Sequence, residues 1–176
     1  MAIKDILERL VETTGGPGNE SNVRELIKNE LDGIADSFEE DNLGNLIVRK
    51  GSGDKTLMVA AHTDQICANV KRIDEDGFLY FKKMWGIYSV QLVNQQIKIE
   101  TSDGDYIQGI IGLEPPHTQD KDEIHEIPEI EELVIEIGAE TKEEVREKGI
   151  DVGDYIYIDE NLKKKKKDYV TGPAFD

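Results

Sequence analysis

His62 and Asp64 are the residues of this 176-residue chain with the clearest capacity for chemistry. They stand in Ala60-Ala61-His62-Thr63-Asp64, directly after the apolar run Leu57-Met58-Val59. A short hydrophobic strand that ends in His-x-Asp carries one imidazole and one carboxylate to its C-terminal edge. Residues two apart in an extended backbone point to the same side, so the pair can share one pocket. In open α/β sheets that edge is where ligands bind. A neutral imidazole ligates zinc or cobalt, and a carboxylate beside it fixes the tautomer or does acid–base work. The same pair in an acidic protein also reads as part of a solvated loop, and the surrounding sequence must separate the two readings.

The elements before the pair read as α/β. Ile3, Ile6, Leu7, Leu10 and Val11 fall at helical spacing, and Gly15-Gly16-Pro17-Gly18 stops that helix. Asn19 is positioned to cap a second helix whose inward face is Val23, Leu26, Ile27, Leu31 and Ile34. A hairpin follows: Ser37 to Glu40, a turn at Asp41-Asn42-Leu43-Gly44, then Asn45 to Arg49. Gly51 to Gly53 turns the chain into the strand that ends at His62.

After Asp64 the texture becomes β-rich. Short strand-type runs occur at Phe78-Leu79-Tyr80-Phe81, Ile97-Lys98-Ile99, Tyr106 to Ile111 and Leu133 to Ile137. Turns at Asp74-Glu75-Asp76-Gly77 and Ser102-Asp103-Gly104-Asp105 punctuate them. This pattern predicts a small β-barrel or sandwich from about Ile66 to Lys167. It carries one helix, with Thr141 and Glu144 as a capping box and Gly149 as its stop, and a final strand within Asp151 to Asp159. Asp120 to Glu132 reads as an acidic loop. Lys163 to Lys167 reads as a solvated basic loop, with contact to an acidic surface of a neighbouring subunit as the sharper alternative.

The net charge of -17 argues against a nucleic-acid backbone or an anionic membrane surface as partner. With 38% hydrophobic and 34% charged residues the core must be lean. The single cysteine, Cys67, excludes an internal disulfide framework, and flanked by apolar residues it reads as core filler, with metal binding beside His62 as the alternative. There is no charged-then-apolar leader and no apolar run near eighteen residues, so neither export nor membrane insertion is expected. A cytoplasmic location is the default.

Four segments together resemble the tetrahedral aminopeptidases, metallopeptidase family forty-two of clan MH. Its members are also described as glutamyl or deblocking aminopeptidases, and some carry an endoglucanase label. The helix, Gly15-Gly16-Pro17-Gly18, Glu20, Val23-Arg24 and Asp41-Asn42-Leu43-Gly44-Asn45-Leu46-Ile47 resemble the family's opening. Ala60-Ala61-His62-Thr63-Asp64-Gln65-Ile66 resembles its first metal-site motif. Ile137-Gly138-Ala139, Lys142-Glu143-Glu144, Gly149-Ile150 and Val152-Gly153-Asp154 resemble the end of its inserted β domain. Gly172-Pro173-Ala174-Phe175-Asp176 resembles the start of its Ala-x-Asp-Asp-Arg motif.

The resemblance implies an α/β fold: a partial zinc-peptidase-like catalytic domain with an inserted β-barrel dimerisation domain. Residues 1–65 would be the N-terminal part of the catalytic domain, 66–167 the insertion, and 168–176 a truncated return to the catalytic domain. It implies that His62 ligates metal, that Asp64 is the catalytic-site aspartate orienting it, and that Asp176 bridges two divalent ions, zinc or cobalt. Two cations a few ångströms apart need a shared anionic ligand, and together they activate water and polarise a carbonyl. Peptide substrates and a homo-oligomer are implied in the same way.

Some positions depart from the family pattern. Gln65 stands where Glu is usual, Cys67 where Gly is usual, and Met84-Trp85-Gly86 where a Gly-Gly pair is common. The family's remaining ligands and its general-base Glu lie beyond the position of Asp176, so the dinuclear site is incomplete in this chain. His117 and His125 fall in the β region and read as surface or turn residues. The expected function is therefore the N-terminal portion of a metal-dependent aminopeptidase, inactive as this chain alone. A non-catalytic assembly or binding module is the alternative. Glycoside hydrolysis ranks below both, since it needs two spaced carboxylates and nothing among 38 acidic residues singles out a pair.

Overall fold

A computed structural model of the chain describes residues 3–84, 86–113, 127–166 and 169–172. The chain divides into two compact units, Met1–Gln65 and Ile66–Asp176.

In the first unit, α1 spans Ile3–Glu12 and α2 spans Ser21–Leu31, and each buries one valine, Val11 and Val23. The inward face of α2 is narrower than its periodicity predicts, because Leu26, Ile27 and Leu31 are half-buried and Ile34 is exposed. The cap also differs from expectation. Glu20, not Asn19, takes the N-cap position, and its side chain makes no capping bond to the helix. The longer glutamate side chain reaches backward instead, and Oε1 accepts a hydrogen bond from the Gly18 N–H at 2.7 Å.

Strands β1 (Ser37–Glu40) and β2 (Leu46–Arg49) form the expected antiparallel hairpin, in register from Ser37↔Arg49 to Glu40↔Leu46. Asp41 builds its turn. Oδ1 accepts from the Leu43 and Asn45 N–H groups, both at 2.9 Å, and Oδ2 accepts from Asn45 Nδ2 at 2.7 Å. These donors, the Asn45 side chain foremost, hold the Asp41 carboxyl below the usual carboxylate range.

The second unit is built on strands β3 (Cys67–Ile73), β4 (Leu79–Met84), β5 (Gln96–Glu100), β6 (Tyr106–Gly112), β7 (Val134–Glu136) and β8 (Tyr155–Ile158). Helix α3 (Ser89–Leu92) precedes β5, and α4 (Lys142–Glu147) lies between β7 and β8. The six strands close into an antiparallel barrel in the order β3-β4-β7-β6-β5-β8. Closure pairs every strand on both sides and leaves no open edge. Alternation fills the interior: Ile97 and Ile99 of β5 are buried, while Lys98 between them is only half-buried. Leu79, Ile99, Leu133, Ile135 and Val145 have no exposed surface.

Helix α4 begins as predicted at Thr141, whose Oγ1 accepts from the Glu144 N–H at 3.2 Å. The Glu144 carboxylate reaches one residue further back than a capping box requires and accepts from the Glu140 N–H at 2.8 Å. Gly149 ends the helix with φ +83°. Lys163 to Lys167 differs from the predicted loop: Lys163–Lys166 is strand β9, paired antiparallel with β10 (Tyr169–Thr171). The β-prone Tyr-Val-Thr partner supplies the ladder that lysines alone do not favour. Of the predicted acidic loop, residues 120–126 lie outside the described residues, and Ile130–Glu132 forms a 3-10 turn. Among the described residues no helix is long and apolar enough to cross a membrane.

The β3–β4 turn shows how tightly the barrel is closed. Asp74 Oδ1 accepts from the Asp76 N–H at 3.1 Å and the Phe78 N–H at 2.9 Å. Gly77 has φ +81°, and a Cβ there would lie 2.6 Å from the Ala139 carbonyl oxygen. A left-handed backbone and a backbone contact both oppose any side chain. Gly77→Ala is expected to destabilise the barrel by about 2 kcal/mol or more. Urea unfolding followed through barrel tyrosine fluorescence checks this, and an unchanged midpoint would contradict it.

Candidate functional site

The His-x-Asp segment is held from below by the glycine loop after α1. The Gln65 N–H donates to the Gly15 carbonyl at 2.7 Å. Gly15 is buried, and a Cβ on it would lie 2.6 Å from Val23 Cγ2 and 3.4 Å from the Thr63 carbonyl oxygen. A glycine is needed there because helix α2 and the Thr63–Gln65 backbone both approach it closely.

Three residues upstream of Gln65, the imidazole of His62 meets Asp64. His62 Nδ1 lies 3.0 Å from the Asp64 carbonyl oxygen and 3.1 Å from Asp64 Oδ1. Both partners are acceptors, so Nδ1 carries the proton in the neutral ring and the lone pair falls on Nε2. The side chains are 62% and 43% exposed, so the pair is accessible from solvent.

The sheet edge expected to carry this pair is not formed. Residues 51–66 have no helix or strand assignment, and Leu57, Met58 and Val59 are 84–88% exposed. The physical reason is backbone pairing. A hydrophobic strand of this kind is stable between neighbouring strands, and the one sheet described in this unit is the two-stranded β1–β2 hairpin, whose ladder does not include it. The local His62–Asp64 contact forms without that sheet.

Asp176, His117 and His125 lie outside the described residues, as does Trp85. Cys67 opens β3, is 2% exposed, and has Sγ 3.8 Å from Met84 Sδ, as core filler should. Among the described residues no group of three or more His, Cys, Asp or Glu side chains could hold a metal ion. The donor chemistry at His62 nevertheless suits a metal: an imidazole with its lone pair on Nε2 and a carboxylate on the opposite nitrogen is the usual arrangement of a metal-binding histidine. It supplies one of the about four ligands that zinc takes. The described residues thus fit one ligand and its orienting partner.

Arg24 carries a role that its sequence position did not disclose. Its Nε lies 3.3 Å from Glu40 Oε2 and its Nη1 lies 3.5 Å from Glu20 Oε2, joining α2 to β1 and to the residue that holds the glycine loop. Its guanidinium also lies against Gly44 in the Asp41 turn. Lys28 adds bonds to Glu25 and Glu40, which push its pKa up, and it holds the Glu40 carboxyl below its ordinary value. The i,i+4 spacing of Glu20 and Arg24 was the available signal.

Comparison with known proteins places the chain in a family. The model of the M42 glutamyl aminopeptidases matches residues 44–176. Lysyl aminopeptidase of Pyrococcus furiosus is 34% identical over 153 residues, covering 85% of this chain and 43% of that protein. The solved aminopeptidase of the archaeon Desulfurococcus kamchatkensis is 33% identical with a TM-score of 0.89, covering 98% of this chain and 47% of that one. The TET1 peptidase of Pyrococcus horikoshii, described as assembling into a tetrahedron or a large octahedral shell, is 30% identical with a TM-score of 0.86. There the match covers 98% of this chain and 51% of the other. The chain belongs to the M42 glutamyl aminopeptidase family. It spans about half the length of the relatives it matches.

Asp64→Ala removes the carboxylate acceptor while leaving the Asp64 carbonyl. The loss of one exposed bond of about 1 kcal/mol should raise the Nε2–H tautomer of His62 roughly fivefold. Long-range 1H–15N spectra of the imidazole measure the ratio, and an unchanged ratio would show that Asp64 does not set the tautomer.

Proposed function

We propose that this chain is the N-terminal portion of a metal-dependent aminopeptidase that releases N-terminal residues from peptides. The observation that carries the reading is the His62–Asp64 contact, in a chain whose residues 44–176 match the M42 family. His62 presents Nε2 as a ligand, and Asp64 keeps the proton on Nδ1 and fixes the plane of the ring. By its place in the motif that resembles the family's, Asp176 would supply a further carboxylate ligand. A pair of divalent ions, zinc or cobalt, supplies an activated water and a polarised peptide carbonyl when bound.

In this reading residues 1–65 are the N-terminal part of the catalytic domain, 66–167 the inserted dimerisation barrel, and 168–176 the return to the catalytic domain. Assembly with further copies is supported by the shells described for the TET1 relative. Peptide substrates are supported by the aminopeptidase relatives. A net charge of -17 disfavours nucleic acid and anionic membranes as partners, and one cysteine in the chain suits the cytoplasm. Family membership favours peptide hydrolysis over sugar hydrolysis by a carboxylate pair and over a purely assembling role.

One imidazole–carboxylate pair supplies too few ligands for a metal pair. The 176-residue chain alone should therefore release no amino acids from peptides in the presence of zinc or cobalt. Supplying the complementary half of a family member should restore turnover, and His62→Ala should then reduce it at least a hundredfold. Peptide-release assays check both. Restored turnover that survives His62→Ala would overturn the assignment of His62, and metal-dependent turnover by the chain alone would overturn the incomplete site.

A further inference from the structure

We infer that Glu20 is a positioning residue for the His62–Asp64 pair, acting through the glycine loop at Gly15–Gly18. This rests on His62 and Asp64 being the site. Glu20 faces two ways. Oε1 accepts from the Gly18 N–H at 2.7 Å, and Oε2 lies 3.5 Å from Arg24 Nη1. The Arg24 guanidinium is in turn anchored on Glu40. The loop is closed at its base by the Asn19 N–H, which donates to the Gly16 carbonyl at 2.8 Å. At the other end of the same loop the Gly15 carbonyl accepts from the Gln65 N–H, one residue past Asp64.

The geometry of these bonds makes a short mechanical path. A charge-assisted bond fixes Gly18, the loop fixes Gly15, and Gly15 fixes Gln65 and the backbone carrying Asp64. Residues 51–62 are all exposed and have no ladder, and the Gln65 N–H bond to Gly15 is a backbone anchor one residue past Asp64. Glu20 also lacks the capping bond that would otherwise explain a polar residue at this helix start. Loop glycines gain definition from such external bonds because their own backbone supplies little.

Amide hydrogen exchange on the 176-residue chain tests this without metal or substrate. Glu20→Ala should speed exchange of the Gln65 amide at least tenfold and broaden or shift the His62 ring signals. Barrel amides such as those of Leu79 and Ile99 should be unchanged. Glu20→Gln keeps an acceptor for Gly18 and should stay within about threefold of the parent. A role confined to helix α2 would instead speed exchange at Val23 and Arg24 and leave Gln65 and His62 as they were, which would overturn the proposal. Should Glu20→Ala unfold α2, Glu20→Asp retains the charge but shortens the reach to Gly18, and the same two outcomes are read from Gln65. Cobalt titration of the parent and of His62→Ala, each supplied with the complementary half of a family member, separates the two claims. Equal cobalt affinity would defeat His62 as a ligand while leaving the exchange result to decide the role of Glu20.

Discussion

Pairing of backbone N–H and C=O groups is the constraint that governs both units of this chain. The second unit meets it by closure: six short strands, none longer than seven residues, each find two antiparallel neighbours. Such strands could not stand alone, and their apolar faces reach zero exposure because the sheet returns on itself. In the first unit the hairpin β1–β2 pairs only along its inner edges, and the apolar run before His62 has no ladder among the described residues. Leu57, Met58 and Val59 therefore stand in solvent, an unusual fate for three adjacent large hydrophobic residues.

The His62–Asp64 contact forms because its geometry is local. An imidazole and a carboxylate two residues apart meet through one turn of backbone, and the Asp64 carbonyl reinforces the carboxylate. What long-range structure adds is anchorage. Gly15 admits helix α2 and the Thr63–Gln65 backbone into contact distance, and the basic side chains Arg24 and Lys28 tie α2 to Glu40 of the hairpin. The chain belongs to the M42 family and spans about half the length of the relatives it matches.

The sequence was legible where one period held throughout an element. Helix α1, the β1–β2 hairpin and strands β4, β5 and β6 follow from apolar spacing and Asp/Gly turns, and α4 from its Thr141 cap and Gly149 stop. Strand β3 escaped because a register shift between Val70 and Arg72 breaks its alternation, leaving Lys71 and Arg72 adjacent and both exposed. Strand β9 escaped because an all-lysine run has no pattern, and only its pairing with Tyr169–Thr171 makes it a strand. The strand ending at His62 was expected from composition, but composition is silent on whether a neighbour exists. The proximity of His62 to Asp64 was readable from spacing alone, and the Glu20–Arg24 pair from its i,i+4 spacing, whereas the close approach at Gly15 and the Arg24–Glu40 contact depend on long-range packing that no local pattern encodes.

The central claim is that His62 is a metal ligand whose orientation Asp64 sets. Anomalous diffraction at the zinc edge, on crystals of the protein carrying its complete family site, tests it most directly. The account predicts a zinc peak at about 2.0–2.1 Å from His62 Nε2, with Nδ1 still directed at Asp64. A zinc peak that leaves His62 uncoordinated, or one bound through Nδ1 with Asp64 turned away, would contradict it.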